Sequence, residues 1–443
     1  MFRRTLTRTT ALVVTAVLAG GLVACSGSAA EVPQDENARL DIWTRRPPGD
    51  PSEQVSKDLA KAFTKKTGIP TKVTAIFDDF ETKLQQAASQ KDLPDIVIND
   101  TAQLGTLVDQ GIVREVDPGE VSRTKDISDK AWDATKAFDG KHYAVPFSAQ
   151  AFALFIRSDW RKAVGAEVPK TWDDLDALAK KFTKDDPDGN GEDDTYGWVV
   201  PGSTKRGYAS WYLSSFLWSS GADYFSGSGT KLAPAIDSPE AAATLSWFQK
   251  SFCDKTVVPG SETAETAAAH PYFDSGTGGM YLTGPYNMAR FDEAVGEGKV
   301  EVVPLPAGPG GEATALAEGE NTYLMAGSAN EAGQLKFAEF AASPAGQKIG
   351  MNGDENGSIV RLPINTTVDM AAERKDERWQ TFNDIYTDAS RYVPTVPDWT
   401  PFLQSSAKTF NAVASDCEAD PESELEALAK DFATELESQR AGG

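Results

Sequence analysis

The densest chemistry in the sequence is the stretch "DDPDGNGEDDTYGW", Asp185–Trp198, where six carboxylates fall within ten residues. Calcium takes oxygen ligands, and a turning loop delivers them from alternate residues. With Asp186 as position one, Asp188 stands at three, Asn190 at five, Gly191 at six, Glu192 at seven and Asp194 at nine. That is the first half of an EF-hand loop, in which Glu192 offers its backbone carbonyl and the glycine permits a sharp turn. Position twelve, where a bidentate glutamate belongs, is Gly197, and "TYGWVV" reads as a strand where the second helix belongs. The stretch is therefore not a sensor EF-hand. It predicts either a structural calcium clip or a solvated acidic turn; closely spaced carboxylates without a partner repel one another, which favours the ion.

Signatures of catalysis are missing. The chain has no G-x-S-x-G and no H-E-x-x-H, and neither Gly140-Lys141 nor Gly298-Lys299 is followed by Ser or Thr. Two histidines, His142 and His270, leave little room for a histidine base. With 66 Asp and Glu, carboxylate pairs are unavoidable and do not by themselves argue for glycoside hydrolysis. The aromatics say more. "ASWYLSSFLWSSGADYF", Ala209–Phe225, carries six aromatic rings in 17 residues. Rings beside amides and carboxylates suit sugars, whose C–H faces stack while their hydroxyls bond to polar edges. Core packing is the competing use of the same rings.

These groups need a scaffold, and the chain alternates strand and helix from Leu40 onward. "LDIWT", "TKVTAIF" and "PDIVIND" read as strands. Between them "PSEQVSKDLAKAFTKKTG" puts Val55, Leu59 and Phe63 on one helical face and stops at Gly68, and "DDFETKLQQAASQ" reads as a helix. "TAQLGTLVDQG" follows as a further helix. The order βαβαβα argues for a sheet covered by helices. Thr171 with Asp174 three residues on, and Ser238 before Pro239, mark two further helix starts.

The N-terminus sets the compartment. "MFRRTLTRTT" is basic, Ala11–Ala24 is an apolar run too short for an ordinary membrane span, and "LVAC" ends it at Cys25. After Cys25 only Cys253 and Cys417 remain, a pair that in an exported chain permits a disulfide, two buried thiols being the alternative. A net charge of -23 excludes nucleic acid as an expected partner, because such a surface repels phosphate backbones.

"LVAC" resembles the lipobox of bacterial lipoproteins. Behind it, "LPDIVINDTAQLGTLVDQGIVREVD", "YAVPFSAQAFALFIRSDW", "FDSGTGGMYLTGPYNMARF", "PLPAGPGG" and "EGENTYLMAGSANEAGQLKFAEFAASPAGQ" follow in the order found in the extracellular solute-binding proteins of ABC sugar importers, the group that includes maltose-binding protein. The resemblance covers nearly all of the mature chain. It implies an α/β, two-lobed periplasmic-binding-protein-like fold, each lobe a sheet flanked by helices, with the ligand cleft between the lobes. It assigns residues 1–24 to a signal peptide and 25–39 to a lipidated Cys25 with a flexible tether. Residues 40–149 plus 308–352 make the first lobe, and 150–307 plus 353–443 the second. It implies a monomeric, lipid-anchored receptor on the outer face of the cytoplasmic membrane, which captures a mono- or oligosaccharide and presents it to permease subunits by lobe closure. No enzyme activity and no cofactor for function are implied. Some members carry calcium in a loop like Asp186–Asp194.

Site residues carry over by position. Trp43 and Arg45 follow the first strand. Asn99, Asp100, Thr101 and Gln103 follow "PDIVI"; Asp100 has the alternative of capping the next helix. Gln150 stands where maltose-binding protein has a ligand-binding glutamate. Trp211, Tyr212 and Tyr224 fall in the aromatic region of the second lobe, and Tyr286 replaces the usual tryptophan after Gly-Pro. Glu320 and Asn321 begin the returned segment, and Arg361 and Trp399 lie in late cleft-facing segments. Two other functions fit the same residues. One is a lipid-anchored glycan hydrolase. The other is a receptor for a polyol or phosphodiester, with Arg45 and Arg361 pairing to an anion.

Overall fold

The computed structural model describes residues 33–227, 231–351 and 361–441. The signal peptide, Cys25 and residues 25–32 of the tether lie outside the described residues, as does the 352/353 boundary expected between the lobes.

The first strands form as read. In β1 (Leu40–Arg45), buried and half-buried residues alternate, with Leu40 and Ile42 in the core. The helix Pro51–Thr67 begins where the Asp50 carboxylate accepts from the Ser52 amide and ends at Gly68, whose φ of 82° gives the left-handed cap. β2 (Thr71–Ile76) and β3 (Ile96–Asp100) both lie parallel to β1. β4 (Val145–Ala151) and β5 (Ala153–Arg157) are separated by Phe152 alone. β6 (Tyr196–Val199) follows the helix Trp172–Lys184, whose Thr171–Asp174 capping box is complete. A small hairpin joins β7 (Phe225–Ser226) to β8 (Ala233–Pro234). The later strands are β9 (Gly278–Thr283), β10 (Val300–Val303), β11 (Ala315–Leu324), β12 (Leu362–Pro363) and β13 (Ser390–Arg391).

Two principal sheets result. The first runs β12-β4-β11-β3-β1-β2, with β13 beside the start of β11. The second runs β10-β5-β9-β6. The chain leaves the first sheet through the β4–β5 junction and returns between β10 and β11. The lobe boundary expected at 149/150 therefore falls inside β4, which carries Gln150 within the first sheet. The last segment is also shared differently from the expectation. β12 and β13 pair with β4 and β11, so part of residues 361–391 belongs with the first sheet. The helices Thr400–Ser415 and Pro421–Ala441 pack in the second lobe, the former against the helices Tyr208–Ser219 and Pro239–Cys253.

Cys253 and Cys417 form a disulfide, with Cα atoms 5.9 Å apart, and tie the end of Pro239–Cys253 to the turn after Thr400–Ser415. Among the described residues no helix is long and apolar enough to cross a membrane.

Candidate ligand-binding cleft

Three parallel strands point their carboxyl ends the same way, where open α/β sheets place their ligands. Arg45 ends β1 and Asp100 ends β3, and Arg45 Nη1 donates to Asp100 Oδ2 at 2.8 Å. The same guanidinium lies over the Phe77 ring, 5.0 Å from its centroid, and 3.7 Å from Glu81. Burial opposes its charge, but Asp100 and then Glu81 outweigh burial and raise its pKa. Asp100 makes no side-chain cap bond to the turn that follows it. Its carboxylate serves Arg45 and not the helix.

β11 lies antiparallel between β3 and β4, so Glu320 stands opposite Asp100 on one side and Ser148 on the other. Gly319 permits this close pairing, since a Cβ there would sit 2.0 Å from the Ser148 carbonyl oxygen. Glu320 is 1% exposed and is gripped bidentately by Arg46, with Arg46 Nη2 donating to Oε2 at 2.6 Å. Ser148 Oγ donates to it at 3.3 Å, and Arg361 Nε lies 3.8 Å away. Burial would raise its pKa; Arg46 and then Arg361 overcome that and hold it at about 2.

Glu318, two residues earlier, has a different environment. Its Oε1 accepts from Trp211 Nε1 at 2.6 Å and its Oε2 from Gln150 Nε2 at 2.9 Å. Burial, reinforced by the negative Asp100, pushes its pKa up to about 7 against Trp211, Arg361 and Gln150. Trp211 comes from the helix Tyr208–Ser219 of the second lobe, and its ring meets Phe152 edge-on at 4.3 Å and Tyr208 at 6.1 Å. Tyr286 stands just beyond β9, its hydroxyl 3.2 Å from Thr283 Oγ1. Gly284 keeps the space between Tyr286 and Gln150 open. A Cβ there would lie 2.5 Å from the tyrosine ring and 3.2 Å from Gln150 Oε1. At the side, Arg206 of the second lobe reaches to 3.8 Å from Glu81 of the first.

Several buried polar atoms of this region make no hydrogen bond among the described residues, although some lie within ion-pair distance of an opposite charge. They are both amide atoms of Asn99, Oε1 of Gln150, Nε of Arg45, Oε1 of Glu81, and Nε and Nη1 of Arg361. Buried polar groups are normally satisfied, and a polar ligand supplies what the protein leaves open.

The structure thus brings Arg45, Asp100, Gln150, Trp211, Tyr286, Glu320 and Arg361 into one region, with Asn99 at the end of β3. Thr101 and Gln103 follow in the turn Thr101–Gln103. Trp43 is half-buried and sets its ring edge-on to Phe80, 6.5 Å away, against the first-lobe core. Four expected residues lie elsewhere. Tyr212 packs between Phe216 and Phe248, Tyr224 bonds to Ser210 and Ser214 beside Trp399, and Trp399 stacks on Phe402, all three within the core. The helix Tyr208–Ser219 is buried on nearly every side, so only Trp211 is left facing Glu318. Asn321 donates to the Ala134 carbonyl at 2.9 Å, because neighbours along a strand point to opposite faces. Glu318, Arg46, Tyr208 and the Arg206–Glu81 approach were not anticipated. The alternation of "EGE" on one face of a strand was the only available signal for Glu318.

The acidic loop folds in on itself. Asp186 accepts from the amides of Asn190 at 3.1 Å and Gly191 at 3.0 Å. Asn190 Nδ2 donates to Asp188 at 3.0 Å and to Asp194 at 3.3 Å, and the Glu192 amide donates to Asn190 Oδ1 at 2.7 Å. Three carboxylates thus converge on one asparagine. As placed, no group of three or more His, Cys, Asp or Glu among the described residues is arranged to hold a metal ion. Burial and the neighbouring carboxylates Asp194 and Asp186 raise the pKa of Asp188.

Two sheets joined by crossing strands, with polar groups of both lobes meeting between them, define a two-lobed solute-binding fold. The chain belongs to the bacterial extracellular solute-binding protein family, whose sequence profile matches residues 49–348. It is 26% identical over 267 residues to the lipoprotein LipO of Bacillus subtilis, a stretch covering 57% of this chain and 53% of LipO. It is 24% identical over 347 residues to the polygalacturonan/rhamnogalacturonan-binding protein YtcQ of the same organism, covering 71% and 65%. In three dimensions it is similar to the GacH receptor of Streptomyces glaucescens, solved unliganded and with acarbose. The TM-score is 0.76 at 20% identity, over 91% of this chain and 99% of that one.

Proposed function

We propose that this chain is the substrate-binding component of an ABC importer and captures a mono- or oligosaccharide in the cleft between its lobes. The observation that carries this reading is a pair of buried polar atoms, Gln150 Oε1 and Arg361 Nη1, that make no hydrogen bond among the described residues, with Trp211 and Tyr286 bordering Gln150 and Glu318. Donors and acceptors beside aromatic rings suit a hydroxyl-rich ring. The names of YtcQ and of the acarbose-bound GacH support a saccharide. An anionic ligand is less well served, since Arg45 and Arg46 are already paired with Asp100 and Glu320. Titrating the purified protein with a sugar panel while following tryptophan fluorescence tests the reading. Saturable binding without turnover is expected, and Asp100→Ala weakens it at least tenfold, because Arg45 loses its partner. Released sugar product favours the hydrolase; binding of anions alone favours the phosphodiester receptor.

The same proposal includes a lipid anchor on Cys25, permease subunits as partners and a monomeric state; the lipoprotein LipO supports the anchor. It also includes calcium in the Asp186–Asp194 loop. Asp186, Asp188 and Asp194 would hold the ion with the Glu192 carbonyl, and Asn190 would turn its amide oxygen inward. The convergence of three carboxylates on Asn190 supports this.

A further inference from the structure

Glu318 stands apart from the other carboxylates of the cleft. Asp100 pairs with Arg45, Glu320 with Arg46, and Glu81 lies within reach of Arg45 and Arg206. Among the described residues, Glu318 has no such cation; its hydrogen bonds come from an indole and an amide, both neutral. Beside it, Gln150 is 2% exposed and has an Oε1 with no donor. The rings of Trp211 and Tyr286 border the same space, Trp211 through its bond to Glu318 and Tyr286 across Gly284 from Gln150. A carboxylate, a buried acceptor and aromatic faces together ask for a group that only donates and carries positive charge. An ammonium has three donors and no acceptor, and it is drawn to aromatic faces.

Resting on the saccharide reading above, we infer that the ligand is an aminated saccharide whose protonated amine is held by Glu318 and Gln150 Oε1 beside Trp211 and Tyr286. Arg361 Nη1, which makes no hydrogen bond among the described residues, then meets the sugar's oxygens. Other charged or titratable groups that act on Glu318 are Asp100 on β3, Arg361 before β12, and the tyrosines Tyr286 and Tyr392. Asp100 adds to the pull on a cation, whereas Arg361 opposes it. The high proton affinity of Glu318 is what a bound cation would relieve, so binding the amine requires the ionised form.

The test is calorimetric titration of the purified protein with chitosan oligosaccharides, chitin oligosaccharides of equal length, and neutral glucans. The aminated oligomers are expected to bind at least tenfold tighter at pH 7, where part of the sugar amine is still protonated and part of Glu318 is ionised. Glu318→Gln is expected to cost the aminated oligomers at least tenfold more affinity than it costs the neutral ones, so that the preference is lost whatever the shared loss from the altered Trp211 contact. In the wild-type protein, affinity for the aminated oligomer falls as pH drops below 7, where Glu318 takes up a proton, and falls again at alkaline pH, where the sugar's amine loses its own, whereas affinity for the neutral one stays level. This arm needs no variant to fold. Neutral or acetylated oligomers binding as tightly as the aminated ones would overturn the inference and leave the saccharide receptor standing. An aminated preference that survives Glu318→Gln also overturns it. Failure of every saccharide to bind overturns both.

Discussion

The indole Nε1 of Trp211 and the carboxylate Oε1 of Glu318 lie 2.6 Å apart and join a helix of the second lobe to the strand that returns to the first sheet. Hydrogen bonds to a charged acceptor are the stronger kind, and this one also fixes the angle at which the Trp211 ring faces the cleft.

Trp211→Phe keeps an aromatic ring beside Phe152 but removes the N–H together with part of the indole. A hydrogen bond to a charged group contributes about 1.5–3 kcal/mol to stability, so the melting temperature should fall, and with the ring no longer held at its angle ligand affinity should fall as well, by about tenfold. Calorimetry beside a thermal melt separates the two; unchanged affinity would show that this bond does not shape the cleft.

Glu318 makes stability depend on pH in an unusual direction. Its folded pKa of about 7 is above the ordinary carboxylate value of 4.5, so the folded state holds its proton longer than the unfolded chain. The resulting stability is full below 4.5 and is lost as pH rises to 7. Glu318→Gln should flatten the slope in that window, as read by urea unfolding at a series of pH values. A slope identical to wild type would contradict the assigned environment.

Arg46 and Glu320 run the other way. Glu320 titrates at about 2, below its unfolded value, so its contribution is present above 4.5 and lost as pH falls toward 2. Removing one partner of a buried pair leaves a charge stranded, a cost of about 3–5 kcal/mol. Arg46→Met should therefore unfold at markedly lower urea, and the double variant Arg46→Met, Glu320→Leu should recover much of the loss. A single variant as stable as wild type would refute the pairing.

For the acidic loop, calcium added after chelation is expected to raise the melting temperature by several degrees, and Asp188→Asn to remove most of the gain. No heat in calorimetry and no stabilisation would end the calcium proposal.

Much of the scaffold was legible because its signals are local. Thr171 and Ser238 start helices through their own side chains, and Gly68 ends one through its backbone freedom. Asp100 was singled out only through the family resemblance, and its alternative as a helix cap is excluded by the missing cap bond and the bond to Arg45. The aromatics were not legible. Trp211, Tyr212, Tyr224 and Trp399 share one composition, and only tertiary packing decides which ring is core and which is wall. Glu318 escaped for a different reason. Its chemistry arises from Trp211 and Gln150, 107 and 168 residues away in the chain, and no local pattern encodes such a meeting.

The Cys253–Cys417 bridge has a consequence for the chain's integrity. β9, β10, β11, β12 and β13 all lie between the two cysteines, and with them Tyr286, Glu318 and Arg361. A single protease cut anywhere in that ring, for example in the exposed turn at Gly310, leaves one covalent molecule that separates into two fragments only after reduction. The receptor can thus be nicked in an extracellular environment without shedding either half of its binding surface.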